Sequence, residues 1–535
     1  MAYRSYFTPR AGLFLVVGLV SLSVLALLLA WVSNNYQGVD GWGAFLGALL
    51  SCVLLLGAVA WGLRNECLPG WLLACLALAV VLRLLAAVLW FTMLPVHGYH
   101  SPAEQSGYVM ADASERDRTA WDLGQSDKPL LRAFQGGYRK ADQYGGLLFL
   151  SAFVYRILGG AAHQPLLIIV LTASFSSLAL LFAWALARRA WGEPAAQWAA
   201  WGLAFYPEAI LLGSSQMREA FTITLAAAAF YGLLRYEQDH HWSGLAWSGA
   251  ALLLSMLFSP PFTLLLAVLL ALVVLVSHRA ILHRPIFQKA WFRWLLLALI
   301  ALLLVGTWLS WQSMAPAGTN NPLEAIRFWV KKSAEFQAYL TERASGWVQK
   351  IFDSTPGWLH LPLLVGYGIV QPFLPAALVD ISGAWIWQAI AIWRSLGWTG
   401  MLALLVYAPL RAWRPNGDRL GRGLSLATWL VILVASLRSG GDAWDNPRYR
   451  AMFAALQVAL AAWVWVEVRR QPDPWLRRVV FSLLIVLAWF IPWYLRRYVY
   501  LPWPIEGLFT TLGLGVFSAL LYWMIDLLLE RSKKT

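Results

Sequence analysis

Long apolar runs separated by short polar segments dominate the pattern of this chain from residue 11 to residue 529. A run of about 17 to 25 apolar residues can cross the roughly 30 Å hydrocarbon core of a bilayer as a helix, which satisfies its own backbone hydrogen bonds. We therefore predict an all-α polytopic membrane protein with about fourteen membrane-spanning helices. The predicted spans cover residues 11–32, 41–63, 71–95, 164–187, 193–212, 216–235, 243–259, 261–277, 292–312, 386–411, 423–438, 449–467, 477–496 and 506–528.

The composition agrees with a membrane protein. Of the 535 residues, 60% are hydrophobic and 13% are charged, and the mean hydropathy is +0.60, whereas soluble proteins carry about 25% charged residues. The net charge of +14 does not indicate nucleic-acid binding, because the basic residues form short clusters at the ends of spans. By the positive-inside rule these clusters, and with them both termini, face the cytoplasm across the plasma (inner) membrane. The clusters are residues 188–189, 278–293, 411–422, 469–478 and 531–534.

Two apolar runs need separate interpretation. Residues 361–378 are apolar enough to span but contain three prolines. Counting this run as a span would also reverse the side of the following basic cluster, so we predict a re-entrant or interfacial segment. Residues 11–32 follow two arginines and lack a clear small-residue cleavage site. We interpret this run as a retained membrane anchor.

The polar segments between spans predict three features on the outer side: a loop over residues 96–163, a loop over residues 313–381, and a short turn over residues 439–447. The first loop contains two predicted helices near the membrane, residues 106–124 and 144–158. The second contains a helix-like stretch, residues 323–352, that is typical of a lid. We divide the chain into two N-terminal helices (1–70), a transmembrane core that includes the first outer loop (71–312), an outer segment (313–385) and C-terminal helices (386–535).

The helix predicted in the first outer loop is rich in acidic residues. Carboxylates are costly near a low-dielectric boundary, so such a cluster either faces water or acts on a substrate delivered from the membrane. Its acids are Asp112, Glu115, Asp117 and Asp122, and Asp142 lies further along the loop.

Several short motifs, in order, resemble those of one family. Asp112 is followed by Ala120 and Leu123 at spacings of eight and eleven residues, and residues 144–159 form an apolar helix ending in Leu-Gly. Further landmarks are Ala-Arg-Arg-Ala-Trp-Gly at 187–192, Phe-Tyr-Pro-Glu at 205–208 and Ser-Gln-Met-Arg-Glu at 215–219. This pattern resembles the GT-C superfamily of integral-membrane glycosyltransferases, and within it the protein mannosyltransferase and aminoarabinose transferase enzymes. The resemblance is clearest over residues 70–280. One departure is that Asp112 is followed by Ala113, where the family often has a second acid.

The resemblance implies transfer of a sugar from a polyprenyl-phosphate carrier, with inversion, to a lipid, glycan or protein outside the cytoplasm. The acceptor hydroxyl must then lose a proton, and Asp112 is the candidate general base. Asp112 could equally be a helix N-cap, since Asp is favoured there. Glu115, Asp117 and Asp142 are supporting acids, although solvated positions or pairing with neighbouring arginines explain Glu115 and Asp117 as well.

The departing lipid phosphate needs fixed cations, and arginine suits a bidentate phosphate contact. We predict Arg218, Arg448 and Arg450 as donor-phosphate ligands. Arg218 could instead pair with Glu219 or Glu208. The other two arginines could instead extend toward the membrane interface.

The sequence identifies no certain cofactor. His97 and His100, at the outer end of the third span, could hold a divalent cation, but two histidines are weak evidence for a metal site. Arg83 lies within the third span, where a charge is costly unless it is paired, and we expect it to have a structural partner.

Three other functions stay open. A lipid-linked glycan ligase or polymerase is expected to have more arginines facing a long outer loop. A transporter would carry polar breaks in mid-span and internal repeats, and we find no such repeat. A non-catalytic subunit of a membrane complex would keep the fold without the reaction.

Overall fold

A computed structural model of the chain describes residues 9–160, 162–277, 355–380, 383–415 and 417–532, together with isolated positions between 294 and 324. Regular structure in these residues is helical throughout, without a strand, which confirms the predicted all-α class. The helices are α1 (Pro9–Ser33), α2 (Trp42–Gly62), α3 (Gly70–His97), α4 (Pro102–Gln105), α5 (Ala111–Gln125), α6 (Gly146–Leu158), α7 (Leu166–Ser177), α8 (Ala179–Trp191), α9 (Glu193–Phe205), α10 (Pro207–Gly213), α11 (Arg218–Asp239), α12 (Trp242–Phe258), α13 (Pro260–Ser277), α14 (Gly357–Val370), α15 (Leu374–Val379), α16 (Trp385–Ala412), α17 (Arg419–Ser439), α18 (Asp445–Ala451), α19 (Ala454–Arg470), α20 (Pro474–Tyr498) and α21 (Leu508–Ser532).

Nine helical stretches in the described part of the chain, with α7 and α8 counted together as one, are long and apolar enough to cross a membrane, and a tenth span results if the bent pair α18 and α19 is counted as one. The predicted count of fourteen is not confirmed. Three of the predicted spans fall on helices that do not qualify, for different reasons. Pro207 separates α9 from α10, α11 carries charged residues at both ends, and α12 has only 17 residues. The span predicted over residues 292–312 and the helix predicted over 323–352 lie outside the continuously described residues.

The proline-rich run over residues 361–378 is divided between α14 and α15. The break falls at residues 371–373, where the Gln371–Pro372 peptide bond is cis. Neither helix is long enough to span, in line with the prediction of a non-spanning segment, and its re-entrant or interfacial placement stays a prediction.

The first compact unit comprises Met1–Val96, His100–Leu178 and Ile210–Phe221. Small side chains on α1 and α2, among them Ala26, Ala30 and Ala48, are almost fully buried, and such residues let membrane helices approach closely. Both predicted loop helices are present, as α5 and α6. Helix α6 begins two residues after its predicted start, and α5 begins five residues after its predicted start and ends one residue late. Larger core side chains come from α2, α3, α5, α6 and α7, and include Phe45, Leu84, Leu123, Leu148 and Leu167.

The second compact unit comprises His97–Tyr99, Ala179–Ala209 and Thr222–Thr535. One of its cores is aromatic, where Phe373 of the α14–α15 break packs against Phe490 and Tyr494 of α20. The chain bends by 75° between α18 and α19. This bend ends the polar helix that carries Arg448 and Arg450 before the apolar helix begins.

Candidate active site

Asp112 lies in the first turn of α5, and its side chain is exposed. The N-cap position of this helix is Met110, with an extended backbone (φ −121°, ψ 127°) and no side-chain capping bond. The alternative prediction of Asp112 as the N-cap is therefore wrong. An acid in a first helical turn is still stabilised by the helix dipole, but its carboxylate is accessible to a substrate.

Arg116 follows Asp112 by one helical turn and is only 2% exposed. Its Nη1 donates a hydrogen bond of 2.7 Å to the backbone carbonyl of Gln216. Burial lowers the pKa of Arg116, while the nearby carboxylates of Asp142, Glu219 and Asp112 raise it. Several elements of the first unit therefore bring their charges into the range of this one guanidinium.

Asp142 is a capping residue for α6. Its Oδ2 accepts hydrogen bonds of 3.0 Å from the backbone N–H groups of both Leu147 and Leu148. Its Oδ1 lies 4.0 Å from Nε of Arg116, an ion pair at longer range than a hydrogen bond. Asp142 is 1% exposed, so its geometry favours a structural role over that of a supporting acid, which stays a prediction.

A glycine makes the start of α6 achievable. Gly145 has φ +80°, and a Cβ there would lie 2.5 Å from the carbonyl oxygen of Ala133. Only glycine adopts this left-handed conformation without a steric penalty. The turn brings the carboxylate of Asp142 to the N-terminal end of α6 and the ring of Tyr144 next to Arg218.

Arg218 begins α11, and the first unit includes its first turn. Its guanidinium carbon lies 4.9 Å from the ring centroid of Tyr144, a cation–π distance. Its Nη1 is buried and forms no hydrogen bond within the described residues. The charge of Arg218 also acts on Arg116, whose pKa it lowers. Arg218 thus lies in the same charged region as Asp112 and has hydrogen-bonding capacity left for a ligand.

Asp117 is enclosed, with no exposed surface. Its oxygens accept hydrogen bonds from the hydroxyls of Tyr108 and Tyr155, the latter at 2.7 Å, and His163 Nε2 lies 2.8 Å away. Burial and the Asp117 charge raise the pKa of both tyrosines well above its usual range, so both stay protonated donors. This arrangement favours a role in fixing α5 against α6 over the role of supporting acid.

Glu115 is an exposed acid on the opposite side of α5. It forms an ion pair of 3.8 Å with Lys140, whose side chain is 89% exposed. Exposed pairs of this kind contribute about 0–1 kcal/mol. The contact is therefore too weak to fix the side chain of Glu115 or to keep it from binding another group. Its predicted role as a supporting acid stays untested.

The second unit contains a separate group of buried charges. Glu208 forms an ion pair of 2.7 Å with Nε of Arg394, and both side chains are almost fully buried. The guanidinium of Arg394 also lies 4.2 Å from the ring centroid of Trp444. Glu208, predicted as an alternative partner of Arg218, therefore has its own arginine in this unit.

The two arginines of α18 differ in environment. Arg448 forms an ion pair of 3.5 Å with Asp445. Arg450 has no exposed surface and lies face-on over Trp398, 3.3 Å from the ring centroid. Its three guanidinium nitrogens form no hydrogen bond of good geometry within the described residues, although the hydroxyl of Tyr206 is close by. The predicted phosphate contacts of both arginines stay predictions.

The described residues contain no group of three or more His, Cys, Asp or Glu side chains that could hold a metal ion. The ring of His97 lies 5.3 Å from that of Trp385, and His100 adopts a left-handed backbone with φ 58°. The weakly supported metal site at His97 and His100 therefore gains no further ligand here. Arg83 is 1% exposed, and its Nη1 donates to the backbone carbonyl of Ala79, four residues earlier in the same helix, at 2.9 Å. The partner expected to offset its charge stays a prediction.

One protein-family model matches part of the chain. Residues 146–311 match the family described as dolichyl-phosphate-mannose-protein mannosyltransferase. The predicted resemblance to GT-C glycosyltransferases is confirmed. The match covers 166 of the 535 residues.

A solved structure similar to this chain is that of the archaeal oligosaccharyltransferase AglB from Archaeoglobus fulgidus, in complex with an inhibitory peptide and a dolichol-phosphate. The identity is 14% and the TM-score is 0.37, over 84% of this chain and 54% of that one. This chain thus spans about half the length of that protein. Among curated proteins, none matches the chain.

Sequence reasoning missed two charged residues. From the sequence, Arg116 is predicted only to form an ion pair with neighbouring acids. Because it follows Asp112 by four residues, the two side chains lie on the same face of the helix. Arg394 lies in the middle of the span predicted over residues 386–411, where an arginine is by itself a signal of function or of a buried partner. Its partner, Glu208, is 186 residues away in the chain, and one sequence carries no information on that pairing.

Proposed function

We propose that this protein is a membrane glycosyltransferase that moves a sugar from a polyprenyl-phosphate donor to an acceptor outside the cytoplasm, with inversion. One observation carries the proposal. In the first unit an exposed acid, Asp112, lies one helical turn before Arg116, and Arg116 donates a hydrogen bond of 2.7 Å to the carbonyl of Gln216, two residues before Arg218. An accessible proton acceptor and cations with hydrogen-bonding capacity therefore belong to the same charged region.

The reaction assigns a role to each group. The acceptor hydroxyl attacks the anomeric carbon as the bond from that carbon to the phosphate oxygen breaks, and its proton passes to Asp112. The lipid phosphodiester leaves as a phosphate monoester with one more negative charge. Arg218, whose guanidinium can bind phosphate through two N–H groups, stabilises that charge. Arg116 is a positioning residue in this scheme, because its burial keeps it from direct contact with substrate.

A groove in the second unit supports a lipid donor. It has a volume of about 420 Å³ and is lined mainly by apolar and small residues, including Trp198, Gly202, Phe205 and Val458. Tyr206 is the polar residue of its lining. An apolar groove of this kind suits a polyprenyl chain, whose contacts are all hydrophobic.

The side of the membrane is part of the proposal. The distribution of basic residues assigns both termini to the cytoplasm and the first outer loop to the extracytoplasmic side. A membrane-impermeant thiol reagent should therefore label Glu115→Cys from outside intact cells. Labelling only after the cells are broken would contradict this orientation.

The donor contact can be tested by binding. Polyprenyl phosphate is titrated against the full chain in lipid nanodiscs, and Kd is measured. A hydrogen bond to a charged group contributes about 1.5–3 kcal/mol, so Arg218→Ala should weaken binding about 10- to 100-fold. Arg218→Lys should fall between, because it keeps the charge but loses the bidentate geometry. Arg132→Ala, which removes an exposed arginine of the first outer loop, is the matched control.

Two results would overturn the assignment: wild-type protein that does not bind polyprenyl phosphate, or Arg218→Ala that binds it with wild-type affinity. Comparing a polyprenyl-phosphate monosaccharide with a lipid-linked oligosaccharide as donor separates this proposal from a glycan ligase or polymerase. Turnover of the monosaccharide donor is expected. Turnover of the oligosaccharide donor alone would favour the ligase.

A further inference from the structure

A second cavity in the second unit is chemically unlike the lipid groove. It has a volume of about 270 Å³ and lies between α14, the α14–α15 break and α16, with Trp444 at one side. Both apolar and hydrogen-bonding side chains line it. The reaction described above assigns no role to these residues.

Aromatic rings form two adjoining walls of the cavity. The rings of Trp387 and Trp444 lie 5.2 Å apart at an interplanar angle of 85°, so they meet as a corner. The ring of Tyr99 is nearly parallel to that of Trp387, at a centroid distance of 6.3 Å. Ring faces carry partial negative charge and attract weakly positive C–H groups. The guanidinium of Arg394 covers one face of Trp444, 4.2 Å from its centroid. The corner offers the remaining ring surface to a ligand that has C–H groups on flat faces.

The remaining lining residues supply donors and acceptors without a positive charge. Gln371 and Gln388 contribute amides and Asp380 contributes a carboxylate. An amide both donates and accepts, and a carboxylate accepts from several hydroxyls. Among the residues that the structure describes, no Lys, Arg or His lines the cavity. Arg394, which adjoins the lining residue Ser395, forms an ion pair with Glu208. The lining therefore suits a neutral polyhydroxyl ligand and disfavours a phosphate.

Close packing fixes the walls in place. A Cβ on Gly383 would lie 2.2 Å from the hydroxyl oxygen of Tyr99, and a Cβ on Gly441 would lie 2.2 Å from Cδ1 of Tyr367, another lining residue. Both tyrosines can hold their positions only because glycine stands opposite. The cavity is therefore preformed, which lowers the entropy cost of binding.

We propose that this cavity binds a single neutral sugar ring, with its C–H faces against Trp387 and Trp444 and its hydroxyls bonded to Asp380, Gln371 and Gln388. The volume lies just below the range of about 300 to 1,000 Å³ for pockets that take drug-sized ligands, so one ring fits better than a disaccharide. The binding of a sugar stands independently; its role in transfer rests on the proposed function. The ring belongs either to the donor or to the acceptor, and the test distinguishes these sources.

The test uses the full chain in nanodiscs with methyl mannoside and methyl glucoside as probes, detected by saturation-transfer NMR. Wild-type protein should give a saturable signal with at least one probe. Trp387→Leu and Asp380→Asn should each weaken that binding by about tenfold or more, since each removes one stacking or charged contact. Trp387→Phe should largely preserve it, because it retains a ring face. Trp358→Leu, on α14 but outside the cavity lining, is the control for a lost tryptophan.

Adding polyprenyl-phosphate-mannose then separates the sources. Loss of the probe signal assigns the cavity to the donor sugar, and persistence assigns it to the acceptor; both support a sugar site. Absence of a signal from wild-type protein would overturn the proposal, as would unchanged binding in both Trp387→Leu and Asp380→Asn. Asp112→Asn should bind the probes normally while losing transfer, so failure of this site and failure of the proposed function give different results.

Discussion

Replacing Asp142 separates a structural carboxylate from a catalytic one. Asp142 accepts two hydrogen bonds of 3.0 Å from the first turn of α6 and lies 4.0 Å from Arg116. Asp142→Ala removes both hydrogen bonds and leaves a buried guanidinium with less compensation. Asp142→Asn keeps an oxygen that can accept from the same two N–H groups but removes the charge.

The magnitudes follow from these contacts. Hydrogen bonds to a charged group contribute about 1.5–3 kcal/mol each, so the two lost in Asp142→Ala should lower the free energy of unfolding by about 3–6 kcal/mol. Asp142→Asn can keep two neutral hydrogen bonds, which contribute about 0.5–1.5 kcal/mol each and about 1–3 kcal/mol together. The net loss in the free energy of unfolding should therefore be only about 2–3 kcal/mol. Asp122→Ala removes an exposed carboxylate from α5, and its effect should stay within about 0.5 kcal/mol.

The assay is equilibrium unfolding of the full chain in mixed micelles by titration with sodium dodecyl sulfate, followed by circular dichroism. The expected order of stability is wild type and Asp122→Ala, then Asp142→Asn, then Asp142→Ala. A wild-type unfolding free energy for Asp142→Ala would refute the capping role. An equal loss in the Asn and Ala variants would show that the charge, and not the two hydrogen bonds, is what stabilises this region.

Two further predictions concern stability. Glu208→Gln removes one charge of a buried ion pair and leaves Arg394 uncompensated, so it should lower the free energy of unfolding by about 3–5 kcal/mol in the same titration. The double replacement Glu208→Leu with Arg394→Met should lower it by less. A larger loss in the double variant than in Glu208→Gln would contradict the pairing. Gly145→Ala should lower the thermal midpoint, because alanine is strained at φ +80° and its Cβ would meet the carbonyl of Ala133. Gly136→Ala, where a Cβ meets open space, should leave the midpoint unchanged. A midpoint equal to wild type in Gly145→Ala would show that the turn can rearrange.

The membrane-spanning helices could largely be predicted because the bilayer imposes a strong rule: every backbone polar group must be bonded within the span. The rule is weaker where helices are short or interrupted. Pro207 ended α9 and began α10 inside a run that was still apolar, and hydropathy alone does not register that break. Hydropathy does not distinguish a short apolar helix such as α12 from a longer one, because the position at which a helix ends depends on one or two residues.

The site was predictable only where it is local. The acid-rich helix around Asp112 stands out from an apolar chain, and the flanking spans predict that it lies in an outer loop. The cap could not be assigned by residue type, since Met110 adopts the N-cap conformation without a capping side chain. The contacts of Arg218 with Tyr144, and of Arg394 with Glu208, join segments far apart in the sequence. Pattern and propensity describe neighbours along the chain and carry no signal for such pairs.

The central claim, that Asp112 accepts the proton of the acceptor, is tested most directly by the rate of sugar transfer in Asp112→Asn. The full chain is assayed with polyprenyl-phosphate-mannose in membranes that supply acceptors, and donor binding is measured in parallel. Because a positioned general base contributes about 10²- to 10⁴-fold, Asp112→Asn should lose transfer by that factor while it binds polyprenyl phosphate like wild type; Asp122→Asn should keep full activity. Transfer by Asp112→Asn at the wild-type rate would contradict the account.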